Sequence, residues 1–93
     1  MTRDEIVTRM LTVFSRQFEI EQPDLNENLR EAYEFDSIDA IELLREIEIL
    51  LGSELTREEK KRAMGIGTIN QIVDYVMDLA IARSFGTVPA ANN

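Results

Sequence analysis

The 93-residue chain contains no cysteine and no histidine. Without cysteine there are no disulfides, no thiol nucleophile and no thiolate metal site. Without histidine the commonest general base and the commonest metal ligand are both missing, so catalysis by the chain's own side chains is not expected, nor is a metal site. No apolar run is long enough to cross a membrane, and the opening "MTRDEIVTRM" breaks its apolar residues with charge, so no secretory signal is visible either. A cytoplasmic location is the expectation. A chain this short holds one domain and one modest core.

What the chain has is acid. The net charge is −8, which disfavours nucleic acid and anionic membrane surfaces because both call for a basic footprint. The acid is concentrated. Between Glu21 and Glu48 ten carboxylates face only Arg30 and Arg45, so this stretch carries the whole imbalance and the remainder is neutral. Taken alone, such a run reads as a solvated surface. It also suits attraction of a basic protein partner.

No strand-like alternation of useful length is present, and four helical segments can be read from their start signals. Thr2 with Glu5, Thr56 with Glu59, and Thr68 with Gln71 fit the capping box, and Asp36 with Asp39 is a shorter-armed version. The first segment, about Arg3 to Glu19, sets Val7, Met10, Leu11, Phe14 and Phe18 on one stripe, with Ile6 and Val13 at its margins. The second, about Ser37 to Leu51, offers Ala40, Leu43, Leu44, Ile47 and Leu51, and stops at Gly52. The third, about Arg57 to Met64, is short, mostly charged and unable to stand alone. The fourth, about Ile69 to Arg83, supplies Ile69, Ile72, Val73, Val76, Leu79 and Ala80. The expected fold is all-α, a small four-helix bundle over residues 1–83, with residues 84–93 a mobile tail. Leu25, Leu29 and Tyr33 should anchor the long connection between the first two helices.

The stretch "EFDSIDAIELL" places a serine between Asp36 and Asp39 at a helix start. Capping chemistry alone explains an Asp-Ser pair there. The wider pattern adds more. "FDSIDAIELL", followed by "EIEILLGSELT" and "TINQIVDYV", resembles the acyl carrier protein family over roughly Thr2 to Arg83. The resemblance implies a second helix opened by an Asp-Ser-Leu motif, with 4′-phosphopantetheine carried on Ser37 and Asp36 assisting attachment and recognition by a phosphopantetheinyl transferase. Asp39, Ile41 and Glu42 match the acidic, apolar and Glu positions of the family pattern, and Ile38 stands for its Leu. A carrier needs a thiol on a long arm, so the missing cysteine and histidine become intelligible. The positive end of a helix also favours an anion.

On the second segment Ile38, Asp39, Ile41, Glu42, Arg45, Glu48 and Ile49 are expected to form the partner surface, with acids steering basic docking faces and isoleucines giving apolar contact. Packing at the edge of the core is the alternative for the isoleucines. Several departures from the family pattern point to a specialised partner set: Tyr33-Glu34-Phe35 replaces the usual Leu-Gly approach to the motif, Arg57, Lys60, Lys61 and Arg62 stand in a slightly longer segment where fatty-acid-synthesis carriers are acidic, and Arg45 and Ile49 occupy positions that the resemblance implies are more often apolar and acidic. The expected function is that of a monomeric acyl carrier, not an enzyme, bearing thioesters for enzymes that load, modify and transfer acyl groups in a specialised lipid or secondary pathway. An aminoacyl or peptidyl carrier, or an unmodified helical interaction module, would share these features.

Overall fold

Five helices follow one another in the computed structural model: α1 (Arg3–Phe18), α2 (Leu29–Tyr33), α3 (Ser37–Leu51), α4 (Arg57–Ala63) and α5 (Ile69–Asn92). The structure describes the backbone of residues 1–92 and the side chains of residues 1–84, and no strand occurs among them. The all-helical expectation holds, with one helix more than the sequence indicated. The last expected segment, about Ile69 to Arg83, continues as helix to Asn92, a correction of its end; the side chains of residues 85–93, where the mobile tail was expected, lie outside the described ones.

All four start signals form. Reciprocal side-chain and backbone exchanges join Thr2 to Glu5, Asp36 to Asp39 and Thr56 to Glu59. At the start of α5, Gln71 N–H donates to Thr68 Oγ1 at 3.1 Å, while Gln71 Oε1 accepts from the N–H groups of Thr68 and Gly67 at 3.1 and 2.7 Å. Each exchange satisfies donors that a helix start otherwise leaves unpaired. Helix α3 ends at Gly52, whose φ of +70° is the left-handed conformation glycine adopts most easily.

Helix α1 packs on α5 and on α3. Its innermost residues are Ile6, Met10 and Phe14, all fully buried. This corrects the expected stripe, in which Ile6 was marginal: residues four apart form one ridge, and the 6-10-14 ridge is the one laid into the core. Val7, Leu11 and Phe18 flank it, half-buried. Leu43 and Ile47 of α3 and Ile69, Ile72, Val73, Val76 and Leu79 of α5 complete the interior, together with Tyr75, Ile20 and Leu55, which the helical pattern did not indicate.

The connection between α1 and α3 is fastened, not free. Leu29 is buried, and Leu25 and Tyr33 pack against the core as expected. The additional element is α2, which Asn28 caps by accepting Glu31 N–H at 2.9 Å. Backbone bonds tie this region to the approach to α5: Leu29 N–H donates to Gly67 C=O at 2.8 Å and Asn70 N–H to Leu25 C=O at 3.0 Å. These bonds serve backbone groups that a long loop would otherwise leave to solvent.

Helix α4 buries none of its own residues, so hydrogen bonds to α5 hold it. Tyr75 donates its hydroxyl to Glu59 C=O at 2.6 Å, and the Arg83 guanidinium donates twice to the Glu59 carboxylate at 2.9 Å. Arg83 also reaches Ser53 Oγ and Glu54 C=O, pinning the α3–α4 loop. The Arg83 hydrogen bonds pull the Glu59 carboxyl from its ordinary 4.5 down to about 2, with help from the Thr56 backbone.

Two outcomes follow from these contacts. Arg83→Gln should lower the melting temperature at neutral pH by the equivalent of about 1.5–3 kcal/mol. Because the Glu59 pKa is depressed, its contribution is complete above about 4.5 and is lost as pH falls through about 2. The gap between variant and parent in thermal scans should therefore narrow over that interval. Glu34, which closes α2 at a φ of 54°, is a non-glycine residue in the left-handed region. Glu34→Gly should raise stability by about 0.5–1 kcal/mol, measured by urea unfolding.

Candidate functional site

Ser37 is the first residue of α3 and is exposed. Asp36 caps the helix: Asp36 Oδ1 accepts Asp39 N–H at 2.9 Å, and Asp39 Oδ2 accepts Asp36 N–H at 3.1 Å. The cap is complete without Ser37, so the hydroxyl is left for other chemistry. The Asp39 N–H is the largest influence holding the Asp36 carboxyl below its ordinary value, and Asp36 remains a carboxylate at neutral pH.

The position of this start is fixed by the residue before it. The ring of Phe35 lies 5.6 Å from that of Phe14 and 5.1 Å from that of Phe18, which are themselves 5.5 Å apart. Such aromatic contacts add directional preference to simple burial. Phe35 N–H donates to Leu29 C=O at 3.3 Å. The bulky approach that sets this chain apart from the family pattern therefore anchors the serine to α1 and α2.

The residues fit a covalently tethered phosphopantetheine. Ser37 presents an uncommitted, exposed hydroxyl at the electropositive end of a 15-residue helix. The capping box already employs the N–H groups of Asp36 and Asp39, which narrows the sequence-based expectation of a phosphate settled among free donors. With two carboxylates beside it, a phosphodiester here gains little from direct pairing and is tolerated because solvent screens the charges. The surroundings leave such an arm free to swing, because no described side chain is placed to pair with its phosphate. Among the described residues no cluster of three His, Cys, Asp or Glu side chains could hold a metal.

Further along α3, Ile38, Ile41 and Ile49 are 71%, 61% and 72% exposed, so they are not edge-of-core residues. With Arg45 they fall on one stripe at spacings of three and four. Glu42 is exposed beside it. Asp39 and Glu48 are partly committed elsewhere: Asp39 belongs to the cap, and Glu48 Oε2 accepts Leu55 N–H at 2.8 Å, holding the α3–α4 loop. Across from α3, the helix α4 exposes Arg57, Lys60 and Lys61, while Arg62 lies 3.6 Å from Asp78. Met64 at the end of α4 is 84% exposed. The sequence showed it only as a helix terminus.

Between α3 and α4 lies a cavity of about 90 Å³, walled by Leu43, Ile47, Ala63, Ile66, Ile72 and Tyr75. Ala40, three residues after Ser37, lies on its α3 side. Phe14, Phe18 and Phe35 take no part in this lining, so the three phenylalanine rings leave the space open.

The "Phosphopantetheine attachment site" family matches residues 8–76. An acyl carrier protein from Rubrobacter xylanophilus is 30% identical over 80 residues, covering 84% of this chain and 95% of that protein. No solved structure matches the chain. The matched region contains the capped serine, its aromatic anchor and the cavity, and the expected prosthetic group is 4′-phosphopantetheine. No described helix is long and apolar enough to cross a membrane. The chain belongs to the acyl carrier protein family, whose members are carriers and not enzymes.

Proposed function

We propose that Ser37 is the attachment residue for 4′-phosphopantetheine and that the protein bears acyl intermediates as thioesters on that arm. The observation that carries this reading is the free, exposed Ser37 hydroxyl beside a helix cap already completed by Asp36 and Asp39. In the loading reaction the Ser37 oxygen loses its proton and displaces adenosine 3′,5′-bisphosphate from coenzyme A, so that one phosphoester replaces a pyrophosphate bond. Asp36 then serves two ends, capping α3 and giving the transferase a carboxylate next to the acceptor.

The stripe of Ile38, Ile41 and Ile49, with Glu42 and Arg45, is the docking face for the transferase and for acyl-processing enzymes. Acids on and before α3 attract basic docking surfaces, and exposed isoleucines supply the apolar contact. The bases of α4 set this carrier apart from one tuned to acidic recognition throughout, which supports service in a specialised pathway of the cytoplasm.

Intact-mass measurement tests the attachment. After incubation with coenzyme A, Mg²⁺ and a broad-specificity transferase, the protein should gain one phosphopantetheine, and Ser37→Ala should gain none. The exposed Ser37→Ala variant should also unfold within about 0.5 kcal/mol of the parent, so loss of loading cannot be blamed on loss of fold. A parent protein that keeps its bare polypeptide mass would overturn the reading. For the specialised role, the loaded protein should support housekeeping fatty-acid synthase enzymes at well below the rate of their own carrier; chain elongation at full rate would contradict it.

A further inference from the structure

Lys60 is the single charged residue lining the cavity between α3 and α4. The α3 side consists of Ala40, Leu43, Leu44 and Ile47, which carry no charge. On α4 the residues that share the Lys60 face, three and four positions away, are Thr56, Arg57, Ala63 and Met64, and none is acidic. The nearby Glu59 carboxylate is taken by Arg83, and no ion pair joins Lys60 to another described residue. A cation without a counter-charge thus stands at the exposed rim of an otherwise apolar space. Its aliphatic stem can line the wall while the ammonium keeps its water.

The tether point lies close by. Ala40 follows Ser37 by three residues, a rise of about 4.5 Å along the helix, so an arm tethered at Ser37 that folds back along α3 brings its cargo to the cavity over Ala40. A hydrocarbon chain would cover the apolar wall and leave Lys60 unmatched. A chain with a carboxylate at its far end would cover the same wall and place an opposite charge at the rim. That carboxylate cannot go to the floor beside Ile47 and Ile72, where it would be stripped of water without a partner. The chain must therefore be short enough for its charged end to stay at the rim, and a cavity of about 90 Å³ sets the same limit on length.

Resting on the carrier reading above, we infer that Lys60 selects short dicarboxylic acyl groups, succinyl to adipoyl in size, by pairing with their free carboxylate at the cavity rim. Lys60 acts here as a specificity-determining residue for cargo and takes no part in attachment.

The experiment loads Ser37 from coenzyme A analogues carrying, through a stable amide, glutaryl, its neutral isostere glutaramyl, or pentanoyl. The population of cargo in the cavity is read from the methyl NMR signals of Ala40, Ala63 and Ile66. In the parent, glutaryl should occupy the cavity roughly two- to fivefold more than glutaramyl, the range expected for one solvent-exposed ion pair. Lys60→Met, which keeps the stem and removes the charge, should erase that preference while leaving glutaramyl and pentanoyl occupancy unchanged. Equal occupancy by glutaryl and glutaramyl in the parent, or an undiminished preference in Lys60→Met, would overturn the inference and leave the carrier reading intact. Failure of every analogue to load would overturn both.

Discussion

The structure depends most on the contact of Phe35 with Phe14 and Phe18. Phe14 belongs to the fully buried ridge of α1, so the residue just before the α3 cap is bound to the centre of the core. This contact fixes where α3 starts, and the start in turn fixes where Ser37 emerges. The capping box then sets the direction of the helix, and the stripe of exposed isoleucines follows from that direction. In the function proposed above, a hydroxyl that takes the arm gains from being rigidly placed, because only the incoming arm then needs freedom.

The two charged faces have different physical origins. The acids before and along α3 are largely exposed and act over distance through a field that salt weakens. Around α4, by contrast, charge serves as mortar. Glu59 and Arg83 are mostly withdrawn from solvent, with side chains 18% and 23% exposed, and their bonds substitute for the apolar burial that this short helix lacks. Arg62 adds a contact to Asp78 on α5, while Arg57, Lys60 and Lys61 are free to face outward, because the attachment of the helix does not draw on them.

Much of this was legible in the sequence, because capping is local chemistry. Thr2, Asp36, Thr56 and Thr68 each find a partner three residues on, and no tertiary information is needed to see it. The apolar spacing gave the inner faces of α3 and α5 for the same reason. The rotation of α1 was not legible: Ile6 and Val7 are equally apolar, and only the shape of the surface opposite decides which faces inward. Helix α2 was hidden because five residues carry no usable period, and its backbone bond from Leu29 to Gly67 spans distant parts of the chain. The serine was visible as part of a motif. That its hydroxyl is spare could be seen only once the Asp36–Asp39 exchange was in place. The cavity and the exposure of Met64 depend on how α4 lies against α3, which a short charged helix does not encode by itself.

The anchoring of α4 by Arg83 bears on how far the folding unit extends. The family match stops at residue 76, yet Leu79, almost wholly buried, and Arg83 lie beyond it. A fragment trimmed at that boundary would forfeit a core residue and leave the Glu59 carboxylate without its guanidinium. The contacts that tie the core and α4 together thus run past the shared family segment, and one of them is made by a side chain that a comparison limited to that segment would leave out.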